Sequence, residues 1–245
     1  MAEFDRPTIA SARAGTAAAI DEGLRSYMLK VYNYMGIGLV VTGLVAYFSN
    51  QAAVSNGQLT AWGELLYTSP LMWVVALAPL AFVLVLSFGI NKLSVAATQA
   101  TFWGFAAIMG LSLSSIFMVY TDASIAKVFF ITAATFGAMS LYGYTTKRDL
   151  TGIGNFLIMG LIGLIIASIV NIFLASSMLE FAISAIGVLI FVGLTAYDTQ
   201  KIKESYDASM GSDVMAKGAI MGALSLYLDF INLFMMLLRL FGNRE

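Results

Sequence analysis

Cysteine and histidine are both missing from the 245 residues, which excludes disulfides, thiol catalysis and the thiolate and imidazole ligands of ordinary zinc sites. Proton or metal chemistry therefore falls largely on carboxylates. Charge is scarce as well. Asp, Glu, Lys and Arg make up 11% of the chain against 60% apolar residues, too little to cover a solvated globular surface. The net charge of -1 resides in loops and ends, and no basic patch points to nucleic acid. Residues 1 to 26 are Ala-rich and mixed in charge, with no apolar signal-peptide core, so the first span is expected to serve as the targeting signal.

What the chain does contain is a series of apolar runs, each near the ~20 residues a helix needs to cross about 30 Å of hydrocarbon. Seven spans are expected, at 27–49, 69–91, 96–120, 124–145, 153–175, 178–200 and 216–240. The expected class is an all-α integral membrane protein. Its organisation is a flexible cytoplasmic segment, 1–26, followed by one seven-helix transmembrane domain, 27–245. Only the connections at 50–68 and 201–215 have room for structure of their own. Pro79, inside the second span, is expected to bend it.

Basic residues set the orientation. Arg6, Arg13, Arg25, Lys30, Lys92, Lys147, Arg148, Lys201, Lys203 and Lys217 all fall on the side of the N terminus, whereas the alternate loops carry Glu64, Asp122 and Glu180 with Lys127 nearby. The positive-inside rule then places the N terminus in the cytoplasm. Arg239 and Arg244 would lie outside if the seventh segment crosses fully. That runs against the rule and leaves a re-entrant last segment as an alternative.

Two acids, Asp198 and Asp229, sit in spans six and seven. An ionisable group at membrane depth is costly unless neutralised, paired or wetted, so it is a functional-site candidate by default. For upright helices the two lie about 8 Å apart along the membrane normal, a gap that tilt and side-chain reach could close. Ser225, Asp229 and Asn232 follow i, i+4, i+7 and share a helix face that continues to Gly222 and Gly218, where small residues permit close helix approach. Thr199, Asn171 and Ser168 are further polar candidates for the same cavity. The structural alternatives are an interhelical polar clamp for Asp229 and a hydrated helix-end position for Asp198. Two carboxyl groups held together in low dielectric would share a proton and titrate as a unit, giving a pH switch without histidine.

Other patterns carry less. Gly152 and Gly154 lack the strand and the third glycine of a dinucleotide fingerprint, and 207–213 lacks the ligands of a calcium loop.

The segments Tyr197-Asp198-Thr199-Gln200 and Leu226-Tyr227-Leu228-Asp229-Phe230-Ile231-Asn232-Leu233-Phe234, with seven spans around them, resemble the bacterial branch of the Bax inhibitor-1-like, or transmembrane Bax inhibitor motif, family. The resemblance covers essentially the whole chain. It implies six helices arranged around a central C-terminal helix, a bacterial inner membrane location and a pH-sensitive calcium leak. In that picture Asp198 and Asp229 form the pH sensor; by the chemistry of the residues they would also act as a weak, transient calcium site, with Thr199, Ser225, Asn232 and Asn171 as candidate supporting polar residues. Calcium is the transported ion, protons are the signal, and no cofactor is implied. The linker between the aspartates looks longer than in the family's best-known leak proteins, and span two holds no arginine.

Two alternatives belong to other classes. One is a non-conducting regulator that binds a membrane protease or stress-response partner through residues 1–26. The other is an intramembrane aspartyl hydrolase, for which Tyr197-Asp198 would qualify. Leu226-Tyr227-Leu228 before Asp229 does not match the Gly-x-Gly that such enzymes carry, so the chain is not expected to be an enzyme.

Overall fold

The computed structural model describes residues 6–244, with side chains from residue 21 onwards. The first helix, α1 (Arg6–Ala53), begins well before the expected start of span one and passes residue 26 without a break. A hairpin follows, β1 (Val54–Ser55) and β2 (Gln58–Leu59), then a short helix, α2 (Ala61–Tyr67). Asn56 and Gly57 both adopt positive φ, as a two-residue turn matched to strand twist requires.

The remaining elements are α3 (Leu71–Gly89), α4 (Val95–Leu113), a 3-10 turn (Ser114–Met118), α5 (Asp122–Thr145), α6 (Thr151–Leu174), α7 (Ser177–Glu204) and α8 (Ser212–Phe241). Local chemistry explains most of these boundaries. Ser94, Thr121 and Ser176 each stand in extended conformation before a helix and accept a backbone N–H from its first turn, satisfying a donor the helix cannot. Helix α3 runs continuously through Pro79.

Among the described residues, seven helices are long and apolar enough to cross a membrane. Large apolar side chains also face outward, among them Phe88, Phe156 and Phe173, each more than 70% exposed. Such a surface suits lipid rather than water. The chain is a multi-pass integral membrane protein. Its interior gathers on α8, where 72% of the apolar stretch is buried against 39% or less in the other six spans. This helix packs against α1, α4, α5 and α7.

Both ends of α8 are tied to opposite faces of the bundle. At its start, Lys217 Nζ donates to the Ile90 carbonyl in the α3–α4 connection. Past its end, Asn243 N donates to Ser124 Oγ, Thr121 N donates to the Asn243 carbonyl, and Arg244 pairs with Glu180 at the head of α7. With 30 residues it is about 45 Å long. The last segment therefore crosses fully, and the re-entrant alternative is overturned. If the N terminus is cytoplasmic, as the positive-inside rule expects, an alkaline phosphatase fused after Glu245 is expected to be active and a green fluorescent protein there dark. The opposite pair would invert the orientation.

On the side of the N terminus, α7 is pinned to the α5–α6 connection. Gln200 receives the Leu150 N–H at 2.8 Å and donates to the Arg148 carbonyl at 2.8 Å, and Lys203 Nζ donates to the Tyr144 carbonyl. Within that connection, Asp149 accepts from Thr151, and hydrogen bonds from the Thr151 side chain and amide hold its carboxyl below the usual carboxylate range. A carboxyl lowered in the folded state contributes stability above its unfolded pKa and loses it as pH falls through the folded one. Asp149→Ala should therefore melt below wild type at neutral pH, with the two melting temperatures converging on acidification.

Candidate functional site

Asp198 and Asp229 reach one another. The two carboxyl groups are close enough to act on one another, and both line a cavity of about 680 Å³ bounded by α6, α7 and α8, with Tyr27 of α1 also in its lining. Ionised carboxylates hold no donor, so this contact is a hydrogen bond only while one of the pair carries a proton. Asp229 is 5% exposed, and no protein donor reaches its Oδ2. Leaving a buried acceptor unpaired costs about 1–3 kcal/mol, more if charged, so a proton, a cation or water is required there.

Helix geometry puts the pair in place. Gly222 brings α8 against α7, since a Cβ there would meet Ile202 Cγ2 at 3.0 Å, and Gly218 lets Tyr27 of α1 approach at 3.2 Å. On the opposite face of α8, Tyr227 is fully buried among Phe102 and Phe105 and shares a 2.7 Å hydrogen bond with Thr42 of α1. Thr42 also donates to the Ala106 carbonyl of α4. Tyr227 thus fixes the rotation of α8 and turns Asp229 towards α7.

Ser225 and Asn232 line the same cavity, with Asn232 Nδ2 donating to the Leu228 carbonyl. Thr199 does not. It lies on the far side of α7, donating to the Thr195 carbonyl and sharing a 3.0 Å hydrogen bond with Ser140, which in turn meets Tyr32. Asn171 is displaced further. It accepts from Ser176 N and lines, with Ser168, a separate cavity of about 350 Å³ near the opposite membrane face, together with Tyr120, Glu180, Ile183 and Arg239. The expectation that Thr199, Asn171 and Ser168 share the aspartate cavity is corrected at all three positions. Consecutive helix residues point about 100° apart, and Asn171 stands at the other end of its span.

One residue escaped the sequence reading. Lys201, one turn beyond Asp198, lines the cavity, acts electrostatically on Asp198 and lies 5.8 Å from the Tyr197 ring centre. The i, i+3 spacing from Asp198 was the available signal.

Residues 24–245 match the family model described as inhibitor of apoptosis-promoting Bax1. The chain belongs to this Bax inhibitor-1-like family. It is 54% identical over 228 residues to the inner membrane protein YbhL of Escherichia coli, covering 91% of this chain and 94% of that one. It is 48% identical to an uncharacterized protein of Caulobacter vibrioides over the full length of both. An uncharacterized membrane protein of Streptococcus pyogenes is 38% identical over 92% of this chain and 96% of its own. Across this Bax inhibitor-1-like chain, the matched region takes in all seven spans and both aspartates.

Proposed function

We propose that the protein is a pH-sensitive calcium leak channel of the bacterial inner membrane, with its N terminus in the cytoplasm, gated by Asp198 and Asp229. The observation that carries this reading is the meeting of the two carboxyl groups inside one cavity, with an Asp229 oxygen left unpartnered by protein. A proton between them ties α7 to α8. Its loss leaves two like charges in a poorly screened environment, and the strain is relieved by separation of the helices or by a cation. Because protons leave as pH rises, calcium flux should rise with pH.

Calcium takes 6 to 8 oxygens as a rule, whereas the cavity offers two carboxylates, Ser225, Asn232, backbone carbonyls and water. Among the described residues no group of three or more acidic, His or Cys side chains gathers to hold a metal ion. Calcium accordingly enters as cargo, held weakly enough to leave.

The test is calcium influx into dye-loaded liposomes carrying the purified protein, measured on both sides of neutrality against protein-free liposomes. Influx above background that grows with pH supports the channel. Well-folded protein that passes no calcium would shift the account to the regulator of a membrane protease, for which deletion of residues 1–26 should abolish a protease phenotype.

A further inference from the structure

The aspartate cavity and the smaller cavity around Asn171 lie along the same three helices. On α8 the positions facing them are Ser225, Asp229 and Asn232 in the first and Arg239 in the second. The spacing 225, 229, 232, 236, 239 alternates four and three residues, which is one unbroken helical face, and Met236 occupies its gap. On α7 the second cavity holds Glu180 and Ile183 and the first holds Phe191, Leu194 and Asp198. The missing step there is Gly187. On α6, Leu161 and Ile165 line the first cavity and Ser168 and Asn171 the second, and the buried Leu164 stands beside Ile165 at the inner end of the first. The two gap residues meet each other and Leu164, because a Cβ on Gly187 would lie 2.9 Å from Met236 Sδ and 3.3 Å from Leu164 Cδ2. Helices α6 and α8 both pack on α7, which floors the groove between them.

We infer that the ion route runs along the α6–α7–α8 seam, from the aspartate cavity to a vestibule at Ser168, Asn171, Glu180 and Arg239, with Leu164, Gly187 and Met236 as its hydrophobic gate. This inference rests on the leak reading and locates its path. The dry stretch is thin. Between Asn232 and Arg239 it spans about 10 Å of helix axis. A constriction of that kind is closed by dewetting, and the unbranched Met236 can swing aside without backbone movement. The missing side chain at Gly187 is what lets the Met236 sulfur close the seam there. Separation of α7 from α8 at the aspartates widens the same seam two to three turns away, which couples the proton switch to the gate. Charged and titratable groups facing the seam are Asp198, Asp229, Lys201, Tyr197 and Tyr27 on one side, and Glu180, Arg239 and Tyr120 on the other.

The natural absence of cysteine makes the test direct. Single variants Ser225→Cys, Ser168→Cys and Met236→Cys are placed in liposomes of known orientation and treated from either side with a charged, membrane-impermeant methanethiosulfonate. Ser225→Cys should react from the side of the N terminus, Ser168→Cys from the other, and Met236→Cys from neither until Leu164→Ala is added. In the flux assay, Gly187→Leu should reduce calcium influx to that of empty liposomes and Leu164→Ala should raise it. Protection of both serine positions overturns the seam even in a protein that conducts nothing. Wild-type flux left unchanged by folded Gly187→Leu and Leu164→Ala overturns the seam and leaves the leak standing. Absent wild-type flux with the expected accessibility pattern overturns the leak alone.

Discussion

Asp229→Asn is expected to flatten the pH dependence of calcium influx and hold it near its low acid-side level throughout. The asparagine amide donates to Asp198 at every pH, so the tie between α7 and α8 no longer depends on a titrating proton. Asp198→Asn should act alike from the other partner. The double variant should add little, because the two carboxyl groups work as one titrating unit and their effects are not additive. Thermal stability gives a second readout, since Asp229→Asn should melt above wild type at alkaline pH, where the native pair repels. A wild-type pH profile in a folded Asp229→Asn protein would remove the pair from the mechanism.

A second large effect concerns the packing that holds α7 in place. A Cβ on Gly143 of α5 would collide with the Ala196 carbonyl, whereas one on Gly137, two turns earlier on the same helix, would meet nothing within 4 Å. Gly143→Ala must displace backbone two residues from Asp198, and overpacking of this kind costs about 1–3 kcal/mol. Gly137→Ala instead gains helix propensity, about 0.5–1 kcal/mol. The same substitution should therefore lower the melting temperature at 143 and raise or preserve it at 137, as measured by circular dichroism in detergent. Equal effects at the two sites would show that the close approach of α5 to α7 does not bear on stability.

The seven spans were legible because lipid demands length and apolarity together, and both are countable. The meeting of Asp198 and Asp229 was legible from depth alone, and the Ser225, Asp229, Asn232 face from helical period. Thr199 was misplaced because adjacency in sequence was read as adjacency in space. Asn171 could have been set apart by the same depth count that joined the aspartates, since Asn171 and Asp198 lie near the C-terminal ends of consecutive antiparallel spans and so at opposite depths. The hairpin at Asn56-Gly57 carried a strong turn signal in a connection recognised only as roomy. The clasp of Gln200 on Arg148 and Leu150 was not legible, because it depends on the path of a connection that no periodicity describes. The gate at Leu164, Gly187 and Met236 was equally hidden, since three ordinary apolar or small residues acquire meaning only from what they separate.

The account stands most directly on the proton stoichiometry of opening. Calcium influx through the wild-type protein, measured at closely spaced pH values in oriented liposomes, should rise with pH along a single-proton transition, as expected for two carboxyl groups that share one proton. Influx independent of pH, or falling as pH rises, would contradict it.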